Sequence, residues 1–166
     1  MWKLARNVLI LAVLLYALWP YVAVFRLSGA LAKPEGPTAT QALAPLVDLA
    51  AVQTHYKGRF GNTVDTWLPS GNDSDQVIGI LAKGLQDLGD NALDKTITLD
   101  WVRTSLREAM QRAAPESPNS FLAGVDFAFF ESWNRFVIRL GELGANPTHL
   151  VLTLEGFRWR VTDIAR

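Results

Sequence analysis

From Val8 to Phe25 the chain runs for 18 residues without a charged side chain, and no other feature limits its folding so strongly. At about 1.5 Å of rise per residue, a helix of this run reaches roughly 27 Å, close to the ~30 Å hydrocarbon thickness of a bilayer. Eleven of the 18 residues are Val, Leu, Ile or Phe. Each contributes about −0.3 to −0.6 kcal/mol at a helix centre, so lipid is preferred over water by on the order of 3 to 6 kcal/mol at most. Trp2 stands near one end, with Trp19 and Tyr21 near the other, where amphipathic rings settle among the headgroups. Lys3 and Arg6 precede the run and Arg26 alone follows it closely, a bias that predicts a cytoplasmic N-terminus. The expectation is a single-pass protein of the inner (cytoplasmic) membrane. Residues 1–32 form an uncleaved anchor that meets the bilayer through residues 8–25, and residues 33–166 form a periplasmic, or otherwise extracytoplasmic, domain.

Ala30-Leu31-Ala32 has the small-x-small form of a signal-peptidase site, so a secreted form cut near Ala32 is the alternative. A secretory signal carries an apolar core of about 7 to 15 residues, shorter than this run. Phe25, Arg26 and Leu27 also continue a helical pattern through Ala30 and Leu31. Pro20 falls inside the helix, where it removes a hydrogen bond and favours a kink, a loss that is tolerated near a membrane surface.

Lys33-Pro34-Glu35-Gly36-Pro37 breaks the helix and reads as a short hinge, since proline disfavours helix in the residue before it. Residues 33–166 hold thirteen basic and sixteen acidic side chains, a net charge of −3. That balance argues against a nucleic-acid partner, which selects a basic surface. No cysteine occurs, which excludes disulfides, thiolate metal sites and thiol nucleophiles.

Beyond the hinge the apolar spacing is first helical. Thr38 to Val47 suits a short helix, and Asp48 caps a second in which Leu49, Val52, Tyr56 and Phe60 share a face. A loop over Leu68–Asn72 leads to Asp73 and Gln76, spaced as a capping box, and to an amphipathic helix marked by Val77, Ile80, Leu81, Leu85 and Leu88. Thr98 caps a further helix with Val102, Leu106, Met110 and Ala113 on one side, which must stop before Pro115. The period then changes to two. Val125, Phe127 and Phe129 alternate with Asp126 and Ala128, and Phe136, Ile138 and Leu140 with Arg135, Val137 and Arg139. Leu150, Leu152 and Leu154, then Phe157, Trp159 and Val161, continue the pattern across a Glu155-Gly156 turn. Helices first and strands last predict an α+β domain, three to four helices packed on a C-terminal four-stranded antiparallel meander.

Several of these pieces occur together in one family. The apolar run ending Leu18-Trp-Pro-Tyr-Val-Ala-Val-Phe-Arg-Leu27, the Leu46-Val47-Asp48 helix opening, the Thr98-capped helix and the ending Phe157-Arg-Trp-Arg-Val-Thr-Asp-Ile164 resemble the bacterial domain of unknown function 2939 family over nearly the whole chain. The Pro34–Pro37 insertion and Trp133-Asn134 depart from its pattern. The resemblance implies an exported bacterial protein and, since the family has no assigned chemistry, carries over no catalytic residue.

A search of the residues for chemistry gives mainly exclusions. His55 and His149 are the two histidines. No nucleophile-elbow, zinc-protease or phosphate-loop pattern is present. Asp73 and Asp75 begin like a calcium loop, but Val77 takes the next ligand position. Asp87, Asp90 and Asp94 put three carboxylates on one helix face. Arg135, Arg139, Arg158 and Arg160 point away from the apolar side of the sheet and form a stripe suited to an anionic ligand. Phe127, Phe129, Phe157 and Trp159 read as core. No catalytic, metal or cofactor site is expected, and an enzyme is not the favoured class. The favoured class is an envelope interaction or structural module with an envelope protein partner. A binder of a small apolar or anionic ligand, in a pocket between helices and sheet, is the alternative.

Overall fold

Charge-free sequence long enough to span a bilayer does form one helix. In the computed structural model, which describes residues 2–67 and 95–165 and the side chains of these except 60–67, α1 covers Trp2–Leu31 with Pro20 inside it. The helix serves two environments. Through Leu15 its side chains are exposed, among them Leu9 at 65% and Leu15 at 60%. From Tyr16 onward one stripe turns inward, and Pro20, Val24, Leu27, Ala30 and Leu31 are buried. Spacings of three and four residues put these on one side of a helix, and Val24, Leu27, Ala30 and Leu31 belong to the same hydrophobic core as the rest of the protein.

The helices expected at Asp48 and Thr98 form, whereas the one expected over Thr38 to Val47 is cut short at Gln41. Pro37–Gln41 forms α2, followed by turns as far as Val47. The Asp48 carboxylate accepts from Ala51 N–H at 2.9 Å and opens α3, Leu49–Trp67; Val52 on it is fully buried. The Asp73 capping box, the helix marked by Val77 to Leu88 and the three carboxylates of Asp87, Asp90 and Asp94 lie outside the described residues. Thr98 accepts from Trp101 N–H at 3.2 Å and caps α4, Leu99–Ala113, which buries Val102, Leu106, Ala109 and Met110. The expected hinge is held in place: Arg103 of α4 donates to the Lys33 carbonyl at 2.7 Å, and Arg107 pairs with Glu35 at 2.9 Å.

Strands β1 (Val125–Ser132), β2 (Arg135–Leu140), β3 (Thr148–Glu155) and β4 (Arg158–Ala165) pair in sequence order as an antiparallel meander. The free side of β4 is covered by Leu46–Asp48, which exchanges backbone hydrogen bonds with Val161 at 2.8 and 2.9 Å. A short 3-10 turn, Leu122–Gly124, precedes β1. A Cβ on Gly124 would stand 3.2 Å from the Ala113 Cβ, so glycine lets this turn close on α4. Phe121, Phe136, Leu106 and Met110 fill the space between helices and sheet, each 1% exposed or less.

Two expectations about the sheet fail for one reason each. Phe127 and Phe129 do not enter the core: they are 51% and 41% exposed. Val125 opposes Leu140 and Phe127 opposes Arg139, leaving Asp126 as an extra residue. Such a bulge shifts the alternation by one, so Ala128 and Phe130 pack against the core instead. Phe157 is not a strand residue; it sits in the β3–β4 turn and is 83% exposed. Trp159 is in the core as expected, at 3%.

Because its last turns belong to the core, α1 should respond to truncation by position. Leu27→Ala is expected to lower stability by about 2–5 kcal/mol, the usual range for a buried leucine, while Leu11→Ala leaves it within about 0.5 kcal/mol, as for surface changes. Thermal unfolding of the detergent-solubilised chain measures both.

Candidate functional site

The meander places the β1–β2 and β3–β4 turns at the same end of the sheet, because strands that alternate in direction bring every second turn back to one side. α1 crosses this end. Its Tyr16 ring stacks 5.9 Å from Phe130, the Tyr21 ring meets Phe136 edge-on at 5.1 Å, and further along it runs beside the β3–β4 turn. There α1 and the turn enclose a surface groove of about 690 Å3. Its apolar wall includes Trp19, Val22 and Phe157, and its cations are Arg26, Lys33 and Arg158. None of its lining residues is a carboxylate. A cleft of about 600 Å3 between α2 and α4 holds Glu35 and Asp100 beside Arg103, so the groove at α1 has the more uniformly positive lining of the two.

The residues singled out in the sequence divide between two places. Trp2, Lys3 and Arg6 lie on the exposed N-terminal part of α1, Trp2 at 82% exposure. Trp19, Tyr21 and Arg26 lie where α1 meets the sheet, Trp19 and Arg26 in the groove itself. The four sheet arginines alternate with the buried residues of β2 and β4, but they do not act as one positive stripe. Arg135 pairs with Glu131 at 2.8 Å, Arg139 with Asp126 at 2.6 Å, and Arg160 approaches Glu155 at 3.7 Å. The Arg139 guanidinium also covers the Phe127 ring at 5.6 Å. Arg158 forms no ion pair among the described residues and turns to the groove.

Sequence reasoning missed Lys33, which lines this groove, and Arg103, which lines the cleft between α2 and α4. The hinge pattern alone does not reveal that Lys33, two residues beyond the end of α1, lines the same groove as Arg26. Arg103 is 4% exposed, and its Nε has no partner among the described residues. Its position directly after Val102 and three before Leu106 places it on the buried arc of α4, the signal that could have revealed it. His55 is exposed on α3 and His149 half-buried at the start of β3. Among the described residues no group of three or more His, Cys, Asp or Glu is arranged to hold a metal ion.

One titratable group is perturbed. The Glu155 carboxyl is pushed above its ordinary range, chiefly by burial, then by the Asp48 carboxylate beside it and the hydrogen bond the two share, with Arg160 pulling the other way. A raised carboxyl binds its proton more tightly in the folded state than in the unfolded one. Its stabilising contribution is therefore complete at pH below the ordinary carboxylate range and is lost as pH rises through the folded value. Glu155→Gln keeps a hydrogen bond to Asp48 and removes the charge. The variant should melt at a higher temperature than the parent at pH 7, with the gap closing as pH falls toward 4; an unchanged gap across that range would contradict the perturbation.

The family model described as Protein of unknown function (DUF2939) matches residues 9–105, more than half of the chain, and the chain belongs to that family. The match begins inside α1 and ends inside α4, so the Phe157–Ile164 stretch that supported the resemblance falls beyond it. No curated protein and no solved structure matches the chain.

Proposed function

We propose, from the premise that the chain belongs to a family without an assigned chemistry, that it is a bacterial envelope protein held in the inner membrane by α1, with its α+β domain outside the cytoplasm as an interaction or structural module. One observation carries the reading. α1 has a mean hydropathy of 2.4 over its most apolar 18-residue window, and only 11% of that window is covered by the protein itself. The core helix of a soluble protein would bury such a surface; here it is left for lipid, where each exposed apolar side chain is favourable. Lys3 and Arg6 on the exposed end support an inward-facing N-terminus.

Packing also favours an anchor over a cleaved signal. A cut after Ala32 would remove Val24, Leu27 and Leu31, at 6%, 1% and 1% exposure, and open the core where they stood. The protein is expected to float with membranes after carbonate washing and to retain the residues before Lys33. A phosphatase fused after Arg166 is expected to be active, since it reports export. A mature form starting at Lys33 that washes off membranes, or a fusion active only as a cytoplasmic reporter, would falsify anchoring or orientation respectively. A chain of residues 33–166 alone is expected to aggregate, read by size-exclusion chromatography.

A further inference from the structure

The charges that flank the apolar run of α1 mark where the hydrocarbon must begin and end. The charge-free run Val8–Phe25 is about 27 Å long at 1.5 Å per residue, which matches the ~30 Å hydrocarbon layer with Lys3 and Arg6 outside one edge and Arg26 at the other. The part of α1 free of the domain ends at Leu15. Residues 2–15 alone reach only about 21 Å, too short to cross. The span must therefore include Tyr16 to Tyr21, the segment stacked on Phe130 and Phe136. Those two rings flank the β1–β2 turn, so the hairpin end of the sheet cannot stand clear of the membrane surface.

The side chains at that end suit this depth. Trp133, in the β1–β2 turn, is 72% exposed and Phe157, in the β3–β4 turn, is 83% exposed, the residue types that settle at the boundary between headgroups and acyl chains. Arg26 directly follows the charge-free run, at the edge of the hydrocarbon, and with Lys33 and Arg158 it lines the groove that lacks carboxylates. Lipid phosphates occupy that layer, and guanidinium and ammonium groups bind them.

From these positions we infer that the hairpin end of the sheet is a second membrane-binding surface, resting on the anchor reading above: Trp133 and Phe157 are set into the headgroup boundary, with Arg26, Lys33 and Arg158 at the level of the lipid phosphates. The domain is seated on the bilayer by three points, α1 and two hairpin turns, rather than tethered above it. The carboxylate-free groove is suited to the headgroup of an anionic phospholipid.

The absence of native cysteine makes the test direct. Full-length Trp133→Cys, Phe157→Cys, Leu11→Cys and Leu143→Cys chains each carry one nitroxide and are reconstituted in vesicles of phosphatidylcholine with phosphatidylglycerol. Leu11 lies within the charge-free run on the part of α1 free of the domain, and Leu143, 75% exposed, lies in the β2–β3 connection at the far end of the sheet. Collision with dissolved oxygen is compared with collision with an aqueous nickel chelate. Labels at 133 and 157 are expected to lose nickel access relative to 143 and to fall between 143 and 11 in depth. Nickel access at 133 and 157 equal to that at 143, with 11 protected, overturns the docking surface and leaves the anchor intact. Nickel access at 11 overturns the anchor, and the docking surface with it.

Discussion

The packing of Val24, Leu27, Ala30 and Leu31 into the domain core is the contact on which the rest of the structure depends. A membrane helix joined to a soluble domain by a flexible linker leaves the domain free to tumble above the bilayer. Here the helix that is apolar and exposed along its first half supplies core side chains along its second half. The same rod therefore fixes the direction of its exposed apolar half relative to the sheet. Its far end is secured as well, because Arg103 and Arg107 of α4 hold the backbone and side chain of the proline-bounded segment that follows. Arg103 does this while 4% exposed. A buried guanidinium is costly unless well bonded, so its carbonyl contact is a fixed point of the fold.

The sheet shows how a local irregularity redistributes polarity. The extra residue at Asp126 turns Phe127 and Phe129 outward and leaves Asp126 opposite Arg139, where it accepts two hydrogen bonds at 2.6 and 2.9 Å. Arg135 and Arg160 find carboxylates of their own. Exposed pairs of this kind contribute only about 0 to 1 kcal/mol each; their larger effect is to cancel the positive field of the outer face. The groove beside α1 and the β3–β4 turn is lined by Arg26, Lys33 and Arg158 and by no carboxylate. Charge on this face is thus divided: largely paired along the sheet, and uniformly positive in the groove beside the helix.

What the sequence determined by itself was whatever depends on neighbours a few residues apart. The length of the charge-free run, the Asp48 and Thr98 caps, the buried faces of α4 and β2, and the order of four strands follow from spacings of two to four residues and from side chains that reach their own backbone. Tertiary structure alone decided the outward turn of Phe127 and Phe129, since a strand pattern read as alternation gives no sign of one inserted residue until its partner strand sets the register. It also decided that Arg26, Lys33 and Arg158 share a groove. Such a meeting of positions more than a hundred residues apart is produced by the apolar stripe of α1 packing across the sheet, and no local spacing encodes where that stripe comes to rest.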